Sequence, residues 1–169
     1  MAITRIGGAN AISGSITSSN LPTGSVLQVQ STTKTDTFSG TSTSFADVTG
    51  LSVSITPSST SNKVFIEANF VASNGAGGRS MYFNLLRDST NIAQPSSPDS
   101  NDCTVQCNTI DYNYNVNIGK LSFLDSPSSS SSLTYKIQYK QDGGTTYVGR
   151  RGDSDQRSIS TITAYEIKG

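Results

Sequence analysis

The sequence predicts an all-β protein, and three observations lead to that prediction. Apolar and polar residues alternate over 51–56 and again over 63–72, which is typical of strands with one buried and one exposed face. The stretch between them, 57–62, is rich in turn-forming residues. Short alternating segments and turns continue to the C-terminus, and no segment has the periodicity of a helix. We therefore expect an antiparallel β-sandwich, jelly-roll-like, with an extended N-terminal arm.

The elements follow one another at hairpin spacing after an N-terminal segment, 1–24. The predicted strands lie at 26–30, around Phe38, and at 45–48, 51–56, 63–72, 81–86, 109–118, 121–124, 133–140 and 158–167. The predicted connections are a glycine-rich loop at 74–79, a polar loop at 94–102, a serine-rich loop at 126–132, a hairpin turn at 142–144 and a charged loop at 150–157. We expect two units, an arm over 1–24 and a β-sandwich head over 25–169.

The composition excludes several classes of function. The chain has 169 residues, a net charge of zero, no His, and 14 % charged residues, against about 25 % in a typical soluble domain. Without His, neither a Ser-His-Asp nor a Cys-His nucleophile system can form, and the commonest metal ligand is missing. Neutrality argues against nucleic-acid binding, which depends on basic surfaces. No stretch approaches the roughly 18 apolar residues of a membrane helix, so we expect no membrane insertion.

The two cysteines, Cys103 and Cys107, are predicted to be free thiols. In a continuous strand they would lie about 13 Å apart, too far for a disulfide, so a bridge would need a loop or bulge between them. Two cysteines without His are also too few for structural zinc. No phosphate-binding loop, nucleophile elbow or dinucleotide motif occurs in the sequence. We expect a protein that is not an enzyme and has no cofactor.

Oxygen ligands for calcium could come from Asp99, Asn101 and Asp102. An EF-hand that began at Asp99 would need Gly at its sixth position and Glu at its twelfth. Those positions hold Thr104 and Ile110. The segment is therefore predicted to be a solvated loop, and no metal site is expected.

The N-terminal segment contains five large aliphatic residues at irregular spacing: Ile3, Ile6, Ile12, Ile16 and Leu21. It cannot make a core of its own, and its glycines disfavour a helix. Two interpretations are open, a disordered leader or an arm that docks on another subunit or another protein. The aliphatic content favours the arm, because a leader that served only solubility would not need it.

The segment 109–118 alternates strictly, with Tyr112 and Tyr114 on its apolar face. Three interpretations are open: packing into the core, a subunit interface, and a platform on which sugars stack. The first is the default, and the second is favoured next because Tyr combines contact area with one polar group.

The charged loop contains Arg150, Arg151, Asp153 and Asp155. Its alternating signs are typical of a solvated turn with local ion pairs. It includes an Arg-Gly-Asp tripeptide, but a three-residue match is expected often by chance. The alternative to a solvated turn is a polar loop that contacts a ligand.

Several segments resemble one family. The stretches 24–30, 44–64, 86–92, 124–127, 133–138 and 160–167 look like small β-rich virion surface proteins of tailed bacteriophages, of the marine-phage type. The segment 11–24 is similar to leaders that precede such heads. The resemblance implies a fibre, knob or decoration protein at the virion surface, often trimeric, with no catalytic motif to transfer.

The resulting hypothesis is a non-enzymatic virion structural protein, in which a homotrimeric head is attached by its arm to capsid or tail proteins. The loops of the head would contact host surface glycans. Two alternatives stay open, a pure capsid decoration protein without a receptor and a carbohydrate-binding module.

Overall fold

The computed structural model describes residues 17–96, 99–110, 115–153 and 156–169. Eleven strands and one short 3₁₀ helix, Ser18–Asn20, are present in these ranges. The strands are β1 Val26–Lys34, β2 Phe38–Gly40, β3 Ala46–Ile55, β4 Lys63–Asn74, β5 Ser80–Arg87, β6 Thr90–Asn91, β7 Val105–Asn108, β8 Asn117–Asp125, β9 Leu133–Gln141, β10 Thr146–Val148 and β11 Ser160–Ile167. Within these ranges no helix is long and apolar enough to cross a membrane.

The strands form two antiparallel sheets. The first has the order β1–β11–β4–β8, and the short strands β10 and β2 extend it beyond the end of β11. The second has the order β3–β9–β5, and β7 and β6 both pair with the free side of β5. The main strands alternate between the sheets along the chain, except that β5 and β7 lie together. This is the order of a jelly roll, so the predicted fold class is confirmed.

The core lies between the two sheets and comes from the buried positions of each alternating strand. Val64, Ile66, Ala68 and Phe70 of β4 all face it and are at most 2 % exposed. The ring of Phe70 packs on that of Phe83 from the second sheet, with 4.7 Å between the ring centroids. Each large apolar side chain buried in this way contributes about 1.5–3 kcal/mol. The alternation that predicted the strands therefore corresponds to the inner faces of the sandwich.

The predicted strand at 109–118 is wrong at 109–110 and 115–116, while 117–118 belong to β8. Strand β7 ends at Asn108 and β8 begins only at Asn117, where it first finds a partner in Ala72 of β4. The described residues between them, 109–110 and 115–116, belong to no strand, and Ile110 and Val116 are exposed. Packing into the core is therefore incorrect for these two apolar positions. Tyr112 and Tyr114 lie outside the described residues.

Strand β5 is buried on both faces, because the segment after β6 covers its outer side. The Thr104 hydroxyl donates to the carbonyl of Ala93, and the Thr104 amide donates to Oδ1 of Asn84. Lys140 holds the same loop by donating to the Ser100 carbonyl and to Oδ1 of Asn101. The ammonium group of Lys140 thus contacts the side-chain oxygen of Asn101, one of the three residues that the sequence offered as calcium ligands.

Candidate functional site

The most unusual surface is the outer face of the first sheet, formed by the outward side chains of β1, β11, β4 and β8. One cross-strand row of this face is apolar and runs through all four strands. Strand pairing aligns its members in the order Val29, Tyr165, Phe65 and Leu124. The rings of Phe65 and Tyr165 lie 6.0 Å apart, and Val29 and Leu124 are each about half exposed. This set is called the aromatic row below.

The next two rows of the outer face are polar and carry one charge of each sign. Glu67 lies in one row with Ser and Thr neighbours, and Lys120 lies in the other, opposite Asn69. The Glu67 carboxylate accepts a long hydrogen bond, 3.5 Å, from the hydroxyl of Tyr165. Neither Glu67 nor Lys120 forms an ion pair within the described ranges.

A second apolar group lies beyond the polar rows and is called the apolar patch below. It consists of Val71, Val116, Ile118 and Ile159. Ile118 is 78 % exposed and Ile159 is 61 % exposed, and pairing places Ile118 directly beside Val71. Val71, Ile118 and Ile159 line a depression of about 300 Å³. Contiguous exposed aliphatic side chains of this kind are a feature of interaction surfaces and ligand-binding grooves.

The charged loop adjoins the apolar patch. The Arg150 guanidinium lies over the ring of Tyr147, 4.2 Å from its centroid, and its Nε donates to the carbonyl of Arg151. Arg151 forms two parallel bonds to the carboxylate of Asp153, of 2.8 and 2.7 Å. The structure thus brings three of the four predicted loop residues together, and Asp155 lies outside the described residues. The loop and Val71 border a second depression, of about 240 Å³.

The described part of the N-terminal segment docks at the opposite pole of the head. The backbone amide of Gly24 donates to the carbonyl of Lys168, and the amide of Lys168 donates to the carbonyl of Ser25. The Lys168 ammonium also donates to the carbonyl of Leu21, which is half-buried. Among the predicted attachment residues only Leu21 is described, because Ile3, Ile6, Ile12 and Ile16 lie outside the described residues.

Two buried carboxylates, Glu166 and Asp125, are engaged in hydrogen bonds that stabilise the fold. Glu166 is 1 % exposed and accepts bonds from the amide and hydroxyl of Ser58, from Asn62 and from Gln28. Burial opposes ionisation, but these donors together lower the pKa of the Glu166 carboxyl below its usual value. A carboxylate buried to this degree is not accessible to a substrate.

A second buried carboxylate, Asp125, is enclosed in the same way. Arg87 donates to both of its oxygens, at 2.9 and 2.7 Å, and the Tyr135 hydroxyl donates to Oδ2 at 2.7 Å. Burial first, and then the bond to Asp125, raise the pKa of Tyr135. The cluster ties β5, β8 and β9 together, and its carboxylate and the Tyr135 side chain are buried.

In the described ranges, the other candidates for chemistry are the possible metal ligands and the two cysteines. These ranges contain no group of three or more His, Cys, Asp or Glu that could hold a metal ion. Cys103 and Cys107 are free, as predicted. Burial raises the pKa of the Cys107 thiol to about 11, so the reactive thiolate is scarce near neutral pH.

Comparison with known proteins gives a likeness of fold only. No family model and no curated protein matches this chain. Three solved structures resemble it: infectious bursal disease virus Gt strain, with a TM-score of 0.46 and 13 % identity, the VP2 subviral particle of the same virus, with 0.45 and 12 %, and the Gx strain, with 0.45 and 14 %. Each match covers 84 % of this chain but only 37–38 % of the other. Similarities this low carry no argument about function.

The sequence held one unused signal for the outer face. In β4 the alternation reserves the odd-numbered positions for polar residues, yet Phe65 and Val71 occupy two of them. Large apolar residues on the solvent side of a strand indicate a covered or interacting surface. Their neighbours Ile159 and Leu124 could not be identified without the register that aligns them.

Proposed function

We propose that this chain is a non-enzymatic structural protein of a virus particle, of the tailed-bacteriophage type, located at the virion surface. Its jelly-roll head self-associates as a homotrimer, and residues 1–24 attach it to capsid or tail proteins. The single observation that carries the proposal is the outer face of the first sheet. There a well-packed sandwich leaves two groups of large apolar residues at its surface.

The physical reason is that such a face is costly for a protein that works alone. A monomeric domain seldom leaves aliphatic side chains as exposed as Ile118 and Ile159 side by side. A protein that functions inside a larger assembly buries them against its neighbours. The sequence resemblance to virion surface proteins and the jelly-roll strand order both support an assembly of that kind.

The two poles of the head suggest how it is oriented in the assembly. Strand β11 runs from Ser160, next to the charged loop, to Ile167, next to the docked segment at Leu21. Eight residues in a strand span about 26 Å. An arm that leaves from the Leu21 pole therefore presents the charged loop on the far side, away from its attachment point.

The charged loop supports a second, narrower proposal, contact with host surface glycans. Arg150 stacked on Tyr147 and the guanidinium of Arg151 provide planar groups beside an apolar depression. Such a combination suits sugars, which present both hydroxyl groups and apolar ring faces. Weak single contacts would be strengthened by many copies on one particle. A decoration protein without a receptor is the rival.

The test of the main proposal is the position of the protein on particles. Gold-labelled antibody against the chain is expected to decorate the surface of purified virions. A chain shortened by residues 1–16 is expected to fold with an unchanged circular dichroism spectrum and to be missing from particles. Absence of the full-length protein from virions would refute the virion role, and assembly of the shortened chain would refute the arm.

Glycan contact is tested separately with the isolated protein. Binding to host cells is expected to fall when Arg150 and Arg151 are both replaced by Ala. The matched control replaces Lys136 and Gln138 by Ala on the outer face of the second sheet. Equal binding by the loop variant and the control would leave decoration as the only role.

A further inference from the structure

We propose that the outer face of the first sheet is where this chain binds a second copy of itself, with the apolar patch and the aromatic row buried between copies. The inference rests on the proposed self-association. Because both copies use the same face, this contact joins them as a two-fold pair, and a homotrimer would need a further contact besides it. Its occupant is another copy of this chain rather than a peptide, a lipid or a different protein.

The area of the face is sufficient for a specific interface. Four strands about 4.8 Å apart and nine residues that rise about 3.3 Å each span roughly 19 by 30 Å, or about 550 Å² per copy. Two such surfaces in contact bury about 1,100 Å² in total, above the roughly 1,000 Å² expected of a specific protein contact. Outward side chains add to this figure, because the face is not flat.

The charges in the two polar rows favour a second copy over another partner, and a further base of the face, Lys63, lies outside these rows beside Ile167. The two polar rows carry one acid, Glu67, and one base, Lys120, and neither has an ion-pair partner among the described residues. A second copy supplies the missing opposite charge to each. A basic partner would leave Lys120 unpaired, and an acidic partner would leave Glu67 unpaired. The polar rows are therefore complementary to themselves.

The apolar groups are placed at both ends of the polar rows, as an interface requires. Val29 and Leu124 mark one end of the face and Ile118 marks the other, each at least 48 % exposed. Burying both ends removes water from the polar rows between them and strengthens the charge pairs there. The paired part of β3 and β9 in the second sheet offers no such surface, because its outer positions are Asp, Ser, Thr, Lys and Gln.

The experiment measures the mass of the full chain by sedimentation between about 1 and 200 µM. The wild type is expected to self-associate. Ile118→Asp and Ile159→Asp are each expected to weaken association at least about tenfold, because a charge would be buried in the contact. Ser54→Asp, on the outer face of the second sheet, is the matched control and is expected to leave association unchanged.

A charge exchange keeps the test valid if either aspartate variant fails to fold. Glu67→Lys alone and Lys120→Glu alone are expected to weaken association, and the double variant is expected to restore it. A mixture of the two single variants is also expected to form mixed oligomers. Association that is unaffected by all of these changes overturns the inference, and so does a wild type that is monomeric at 200 µM.

Failure of this inference is distinguishable from failure of the proposed function. A protein that is found on virions but associates through another surface overturns only the interface. A protein that self-associates through this face but never occurs on virions overturns only the virion role.

Discussion

Replacing Glu166 by Gln is expected to destabilise the head, although the two side chains have the same shape. The carboxylate is 1 % exposed and receives four hydrogen bonds, at 2.6 and 2.7 Å from Ser58, 2.5 Å from Asn62 and 2.7 Å from Gln28. An amide would turn an NH₂ group toward one of these donors. It would also remove the charge from the remaining bonds.

The magnitude follows from the number of bonds. A hydrogen bond to a charged group contributes about 1.5–3 kcal/mol, against about 0.5–1.5 kcal/mol for a neutral pair. Weakening three bonds and losing one gives an expected cost of about 3 kcal/mol. For a chain of this length that cost corresponds to a fall in Tm of about 6–12 °C.

The assay is urea denaturation at several pH values. The lowered pKa means that the folded carboxyl binds its proton more weakly than the unfolded one. Its stabilising effect is therefore complete above the unfolded pKa of about 4.3 and is lost as the pH falls through the folded pKa. The difference between wild type and Glu166→Gln is expected to be large at pH 7 and to shrink in acid.

The control is Glu67→Gln, at the other glutamate of the chain, compared at a concentration where all proteins have the same mass. Its half-exposed carboxylate accepts only the long bond from Tyr165, so a change below about 0.5 kcal/mol is expected at pH 7. If both variants lose equal stability, or if the Glu166→Gln difference persists unchanged in acid, the reasoning fails.

Three further predictions concern the core. Gly119→Ala is expected to lower the free energy of unfolding by about 1–3 kcal/mol, measured by urea denaturation, because an added Cβ would overlap the ring of Phe70. An unchanged urea midpoint would contradict this packing. Tyr135→Phe is expected to lower the free energy of unfolding by about 1–2 kcal/mol at pH 7, because Asp125 loses one buried donor but keeps Arg87. A variant as stable as the wild type, or more stable, would show that this hydrogen bond does not stabilise the head. Iodoacetamide at pH 8 is expected to label half-buried Cys103 well before buried Cys107, and mass spectrometry measures the order. Faster labelling of Cys107 would contradict its burial in β7.

Most of the fold could be predicted from local sequence because its strands have one buried face. The predicted strands at 51–56, 63–72 and 133–140 correspond to β3, β4 and β9. Alternation is reliable there because each strand has a paired neighbour and a facing sheet. At 109–116 the same pattern was misleading, because alternation does not reveal whether a partner strand exists, and the pairing of β8 with β4 begins only at Asn117.

The candidate surface could be predicted only in part, because it depends on register. Phe65 and Tyr165 are 100 residues apart in sequence, and only the β4–β11 pairing places their rings in one row. The donors to Glu166 likewise come from β1 and from the turn before β4. The composition predicted a protein that binds other molecules without catalysis, but long-range strand pairing determines which residues form the binding surface.

The position of the docked N-terminal segment has a mechanical consequence. Gly24 and Ser25 exchange backbone bonds with Lys168, and from there β1 runs antiparallel to β11 through eight aligned residue pairs toward the charged-loop pole. In the proposed assembly, tension between the anchored arm and a charged loop bound to a cell would act along these two strands. The backbone bonds of the pair would then share the load in shear, instead of opening one after another as in a peeled hairpin.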